Sequence, residues 1–286
     1  MHNPKAERSA QQEQLVTSYD LVATGYDTQG YVRVCASRLV ERVGLRRGDK
    51  VLDVATGTGW AAITAARIVG STGEVVGVDM TPSIQARRKA AMAHLTNVAF
   101  HEGDAQSLDF PPNSFDAVLC ASGLFFLPDM LAAVRAWQHV TKPGGLVAFS
   151  TFGDTLFHPM GAMFNARLDR YGVRLPRPRT QGRAQSLLEP AGCRHLLREA
   201  GFEHIEVHTE QLGYYLSDVH AYWEDTVAWN GSRQGRLAQI PPAQREQFKA
   251  EHLAEVSALA TERGIWVDVP CNVALGRKSR DEQRNT

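Results

Sequence analysis

The sequence predicts an α/β fold: a seven-stranded, mostly parallel sheet with its last strand antiparallel, overlaid by a helical cap. Three observations carry this. Short apolar runs alternate with helical runs from residue 51 to residue 152, the rhythm of β-α units and a parallel sheet. The first run, Val51 to Ala55, enters its helix through Thr56-Gly57-Thr58-Gly59. After Gly153 the rhythm breaks, and two long insertions interrupt the last strands.

The elements follow in order. Met1 to Glu13 reads as a frayed terminus. Residues 15–45 read as a helical segment interrupted by Gly25 and Gly30. Gly48-Asp49-Lys50 turns into strand one, Val51 to Ala55, and Ala61 to Val69 forms an Ala-rich helix. Gly70 to Gly73 turns, and Glu74 to Asp79 is strand two. Thr81 and Pro82 read as N-cap and first residue of a helix running to about His94; Arg87, Arg88 and Lys89 read as its solvated face. Asn97 to His101 is strand three and Ser114 to Ala121 strand four. Asp129 to Val140 is a helix with Met130, Val134, Trp137 and Val140 on one face. Lys142-Pro143-Gly144-Gly145 reads as a stop before strand five, Leu146 to Phe152. A helix ends at Leu196 to Ala200 with Gly201 as its cap. Phe202 to Glu210 is strand six. Ile265 to Lys278 is strand seven, with Pro270 marking a bulge or an edge.

The cap is expected from residues 154–183 and 214–264 of a single 15–286 domain. The first insertion mixes Phe157, Met160, Met163 and Phe164 with Arg167, Arg170, Arg174, Arg177, Arg179 and Arg183. The arginines read mainly as a solvated face. The second carries Tyr215, Tyr222, Trp223 and Trp229, then a helix from Pro242 to Arg263. Such aromatics either wall an apolar pocket or pack beneath the cap.

The glycine turn places a ligand at the carboxyl ends of the strands. Gly57, Gly59 and Ala62 also satisfy a loose dinucleotide fingerprint. Asp53 separates the two cofactor classes. A carboxylate there repels a pyrophosphate and suits S-adenosylmethionine, which carries a sulfonium and an ammonium; unit charges at ~4 Å interact by about 4 kcal/mol at an effective dielectric near 20. Its other reading is a cap on the loop's own backbone. Asp79, 20 positions after Gly59, stands where a carboxylate accepts both ribose hydroxyls. Met80 can stack on an adenine.

Leu-Asp-Val-Ala-Thr-Gly-Thr-Gly at 52–59 resembles motif I of the class I S-adenosylmethionine-dependent methyltransferases, most closely the ubiquinone/menaquinone C-methyltransferase-like, small-molecule branch. The resemblance runs from Tyr19 to Phe152. It implies a Rossmann-like sheet of order 3-2-1-4-5-7-6 and S-adenosyl-L-methionine as cofactor. It implies cofactor contacts at Asp53, Ala55, Thr56, Gly57, Gly59, Asp79 and Met80. It implies an adenine loop at Gly103, Asp104 and Ala105, and places Ala121 under the amino-acid part. Ser18 to Asp27 is similar to the family's N-terminal aromatic-acid pattern, which folds over the cofactor and brings in Tyr19 and Tyr26. Phe126 stands where many relatives carry histidine, which removes one base. No Asn-Pro-Pro-Tyr-like tetrapeptide follows strand four, which argues against methylation of nucleobase amines.

Composition narrows the partners. Hydrophobic residues make up 43% and charged residues 22%, ordinary for an enzyme. Lys plus Arg and Asp plus Glu balance at 31 each, which disfavours nucleic acid. Cys35, Cys120, Cys193 and Cys271 show no metal or disulfide spacing, so no metal is expected and reduced thiols suit a cytoplasmic protein. No apolar run reaches a membrane span. A homo-oligomer is compatible with all of this.

These readings converge on methyl transfer to a small-molecule acceptor, a C, O or N nucleophile, by direct displacement. His158 is the candidate catalytic base, with His220 and Asp154 behind it. The alternatives are a non-methylating S-adenosylmethionine-binding enzyme such as a cyclase or decarboxylase, an RNA or protein methyltransferase using the arginine series, and a nicotinamide dehydrogenase, which Asp53 disfavours.

Overall fold

The computed structural model describes residues 27, 29–81, 84–173, 186–228 and 231–280. Among the described residues, seven strands form one sheet of order β3-β2-β1-β4-β5-β7-β6. They are β1 Lys50–Val54, β2 Glu74–Asp79, β3 Val98–Glu102, β4 Phe115–Ala121, β5 Thr141–Phe152, β6 Glu203–Leu216 and β7 Ile265–Arg277. β1 to β5 pair in parallel, and β7 runs antiparallel between β5 and β6.

Buried parallel strands are apolar on both faces, and here alternate residues feed two cores. Val51, Ala117 and Leu119 face α1 (Gly30–Val43), α2 (Trp60–Val69) and α3 (Ile84–Met92). Leu52, Val54, Val118 and Cys120 face α4 (Met130–Val140) and α6 (Pro190–Glu199). Asp129 caps α4 by accepting from the Ala132 N–H at 3.0 Å. The four cysteines are free and buried.

Some boundaries differ from the sequence reading. Helix α1 starts at Gly30, one of the two expected interruptions, with residues 15–26 outside the described ones, and α3 spans Ile84–Met92, with Pro82 outside the described residues. Lys142 to Gly145 do not precede strand five; they bulge out of it. Thr141 pairs with Phe115, and the ladder resumes at Leu146 opposite Ala117. A Cβ on Gly145 would lie 2.8 Å from the Asp116 carbonyl. Pro270 causes no register slip: it pairs with Gln211 just past the last β5–β7 pair, Phe152 with Cys271.

β6 outruns its expected end at Glu210. Gln211 to Leu216 pair with Pro270 to Ile265, so a two-stranded ribbon overhangs the carboxyl end of β5 by about 20 Å at ~3.3 Å per residue. Tyr214 and Tyr215 therefore belong to the sheet. The overhang leads into α7 (Val219–Trp223), a π-turn at Glu224–Ala228, α8 (Gly231–Leu237) and α9 (Pro242–Ser257), which stops short of Arg263.

The two insertions pack on each other through α5 (Met160–Arg170) and α9. Phe164 meets Phe248 at 5.4 Å, edge to face. Arg167 is 4% exposed and pairs with Glu251 and Glu255, and Arg170 also reaches Glu255. Arg167 is therefore an internal pair, while the exposed Arg170 keeps to the solvated face; Arg174, Arg177, Arg179 and Arg183 lie outside the described residues.

His252 sits in this cap core, fully buried, with its Nε2 3.0 Å from the Tyr222 hydroxyl. Burial pushes its pKa down to about 4, with Arg167 and Arg233 adding to the effect and Glu255 opposing it. The folded state thus favours the neutral ring. Stability is full above the unfolded value near 6.5 and is lost as pH falls toward 4, by about 3 kcal/mol in total. Urea unfolding should show that loss in the wild type, and His252→Gln should lack this component. Parallel pH profiles for the two proteins would refute it.

Candidate functional site

At the carboxyl end of β1 the chain turns through Ala55, Gly57 and Gly59, all at positive φ (52°, 53° and 84°). Thr56 N–H donates to the Val78 carbonyl at 3.0 Å, and Gly59 N–H to the Thr56 carbonyl at 2.8 Å. Gly59 has two reasons to lack a side chain. Its φ is left-handed, and a Cβ would lie 2.7 Å from the Ala86 Cβ and 3.2 Å from the Phe100 ring. The close approach at Gly59 is thus made by α3 and β3 of the protein itself.

Asp53 lies behind this turn, 1% exposed. Its Oδ2 accepts from the Thr56 hydroxyl at 2.6 Å and from the Ala62 N–H at 3.0 Å. So it does bind the loop and the start of α2. Its Oδ1 has no hydrogen-bond partner among the described residues, nor has the buried Thr58 Oγ1. Burial pushes Asp53 up to about 7, against the opposing hydrogen bonds from Thr56 and Ala62, and the charge of Asp79 adds to the rise.

Asp79 ends β2. Its Oδ2 accepts from the Gly57 N–H at 2.8 Å, and its Oδ1 from the Thr81 N–H at 3.1 Å and the Thr81 hydroxyl at 3.4 Å. Burial raises its pKa, and the N–H donors of Gly57 and Thr81 hold it down. One carboxylate therefore fastens the glycine turn to β2. The half-buried Met80 follows.

The next loop is tied to Asp79 as well: Gly103 N–H donates to its carbonyl at 2.9 Å. Asp104 folds this loop by accepting from the Gln106 N–H at 2.9 Å, and the buried Ala105 gives its carbonyl to the Trp137 indole at 2.7 Å. Ala121 ends β4. The turn after it packs against the glycine turn, since a Cβ on Gly123 would lie 2.8 Å from the Ala55 Cβ. The structure thus lines up Asp53, Ala55, Thr56, Gly57, Gly59, Asp79, Met80, Gly103, Asp104, Ala105 and Ala121 along the carboxyl edge of β3-β2-β1-β4. Tyr19 and Tyr26 lie outside the described residues.

An aromatic wall stands beside this edge, past β4 and β5. Tyr31 on α1 meets Phe157 at 5.1 Å and Phe152 at 5.6 Å, both edge to face. Phe152 meets Phe125 at 5.8 Å, and Phe125 meets Phe126, which is 52% exposed. Behind the wall, Asp225 accepts from the Gly30 N–H at 3.0 Å and the Tyr214 hydroxyl at 2.5 Å, pinning α1 to the overhanging ribbon. Neither Tyr31 nor Asp225 stands out in the sequence, because the groups they meet are distant along the chain.

His158 does not join this wall. It is exposed on the turn into α5, with no side-chain partner among the described residues, and Asp154 and His220 are exposed too. Among the described residues no cluster of His, Cys, Asp or Glu is built to hold a metal ion, and no helix is long and apolar enough to cross a membrane.

Residues 51–145 match the family model described as a methyltransferase domain. A demethylmenaquinone methyltransferase of Staphylococcus aureus is 36% identical over 148 residues, covering 50% of this chain and 61% of that protein. The chain thus spans less than two thirds of the length of the curated relatives it matches. Among solved structures, a Haemonchus contortus phosphoethanolamine N-methyltransferase, in complex with phosphomonomethylethanolamine and S-adenosylhomocysteine, superposes with a TM-score of 0.57 at 18% identity. That likeness covers 97% of this chain and 61% of that one. The [4+2]-cyclase SpnF gives 0.55 at 19% identity, covering 96% and 97%. At such identities the shared property is the fold. Residues 51–145 thus match a methyltransferase domain, and the sheet that carries them has the order 3-2-1-4-5-7-6 that the sequence resemblance implied.

Proposed function

We propose that the protein transfers a methyl group from S-adenosyl-L-methionine to a small acceptor with a flat, apolar ring. The observation that carries this is the orphaned Oδ1 of Asp53, buried at the glycine turn. A carboxylate oxygen in a dry site without a donor is costly, and the ammonium of the cofactor's methionine half is a donor of the right charge. Asp79 would hold the ribose, the Asp104 loop the adenine, and Ala121 and Ser122 would flank the methionine part. The bound cofactor supplies a methyl group on a sulfonium, already an activated leaving group.

What remains for the chain is alignment and exclusion of water, which can supply several kcal/mol of the barrier. Phe125, Phe126 and Phe152, backed by the buried Tyr31 and Phe157, would offer the surface against which a flat acceptor ring lies. The Staphylococcus relatives named demethylmenaquinone methyltransferases make a quinol ring the first acceptor to try. Residues 154–173 and the helices between β6 and β7 would close the acceptor side. With His158, Asp154 and His220 exposed, we assign no protein base; an acceptor that ionises readily at its own hydroxyl would need none.

S-adenosylhomocysteine should raise the melting temperature and NAD should not. Phe157→Ala should raise the acceptor KM while leaving cofactor affinity nearly intact. Saturating S-adenosylhomocysteine without a melting shift or calorimetric heat would end this reading.

A further inference from the structure

Lys89 closes the run Arg87-Arg88-Lys89 on α3, which the sequence places on a solvated face. The structure turns it inward instead, to 21% exposure. Its Nζ donates to the Thr58 carbonyl at 3.0 Å, between the two turn glycines. It also ion-pairs with Asp27 and lies 4.2 Å over the Trp60 ring, the first residue of α2. The Trp60 indole N–H donates to the same Asp27 oxygen at 3.0 Å. Burial lowers the Lys89 pKa, and Asp27 opposes that shift. A long, half-buried ammonium loses rotamer freedom and hydration. It is held here by three groups that fix one peptide of the glycine turn.

We propose that Lys89 is a positioning residue for the glycine turn, and that Asp27 cancels its charge so that the turn can receive a cationic cofactor. The inference rests on the cofactor reading above and deepens it. An ammionium-like charge beside this turn would repel the sulfonium and the ligand's own ammonium. A carboxylate in contact with that charge reduces its reach to that of a dipole. The two natural ligands report the field: S-adenosylmethionine carries one more positive charge than S-adenosylhomocysteine, on nearly the same atoms.

The test is calorimetric binding of both ligands to the wild type, Asp27→Asn, Lys89→Met and the double variant, with circular dichroism to confirm folding. Lys89→Met removes the turn's clamp and should weaken S-adenosylhomocysteine about five- to tenfold, and S-adenosylmethionine less, because the Asp27 carboxylate left unpaired attracts its extra positive charge. Asp27→Asn leaves the ammonium unscreened and should weaken S-adenosylmethionine about threefold more than S-adenosylhomocysteine, an excess that shrinks in added salt. In the double variant the ratio of the two affinities should return to the wild-type value. Equal losses for both ligands in Asp27→Asn, or unchanged binding in a folded Lys89→Met, would overturn the assignment while leaving the cofactor reading intact. A wild type that binds neither ligand would overturn the cofactor reading and this assignment with it.

Discussion

Asp79→Ala is expected to weaken S-adenosylhomocysteine binding by at least about a hundredfold while the sheet stays folded. Two losses add. The variant removes the acceptor proposed for the ribose hydroxyls, two charge-assisted bonds worth roughly 1.5–3 kcal/mol each. It also frees the Gly57 N–H, which donates to Asp79 at 2.8 Å, and the Thr81 N–H at 3.1 Å. A turn with three residues at positive φ is kept in place by such tethers, so the empty site also becomes less ordered, and binding must then supply the ordering. The sheet should survive because the β1–β2 ladder from Lys50 to Val54 does not involve the Asp79 side chain. Calorimetry with a circular dichroism control measures both halves. A folded variant that binds within threefold of the wild type would show that Asp79 holds only the turn.

The most legible part of the fold was the part with local causes. Val51 to Ala55, the glycine turn and Asp79 follow from apolar runs, turn chemistry and one spacing, and each reappears at the carboxyl edge of the sheet. The misread parts had distant causes. β6 continues past Glu210 because Gln211 to Leu216 pair with Pro270 to Ile265, distant along the chain, and the Trp266 ring fills the space beside Gly213 that a side chain would take. Lys142-Pro143-Gly144-Gly145 carries every local stop signal, but Thr141 is already paired with Phe115 on the neighbouring strand. Arg167 looked solvated until Glu251, 84 positions on, came into contact. Lys89 looked solvated until Asp27, 62 positions back, did the same. In the site, residue types were readable but orientation was not: nothing in the sequence says which Asp53 oxygen is spent on Thr56 and Ala62 and which is left over.

That leftover oxygen leads to the second large effect, a pH dependence of cofactor binding set by Asp53. Burial raises Asp53 to about 7 in the folded protein, against an unfolded value near 3.9. The sign follows from that direction. A carboxyl raised on folding favours the protonated form, so its contribution to stability is full below pH 3.9. It is lost as pH rises through 7, at a total cost of about 4 kcal/mol. The folded protein carries that cost near neutrality, a charge in a dry site. A ligand ammonium near Oδ1 would relieve it by favouring the ionised form, so binding should release a proton below pH 7. S-adenosylhomocysteine affinity should be flat above about pH 7.5 and fall by up to about tenfold per unit below pH 7, until the lower pKa of the complex is reached. Calorimetry at pH 6, in buffers of different ionisation enthalpy, should show close to one proton released per ligand bound. Asp53→Asn should bind weakly with a flat profile, because its amide neither titrates nor carries charge. A slope that persists in Asp53→Asn would assign the pH dependence to other groups and leave Asp53 as a backbone cap alone.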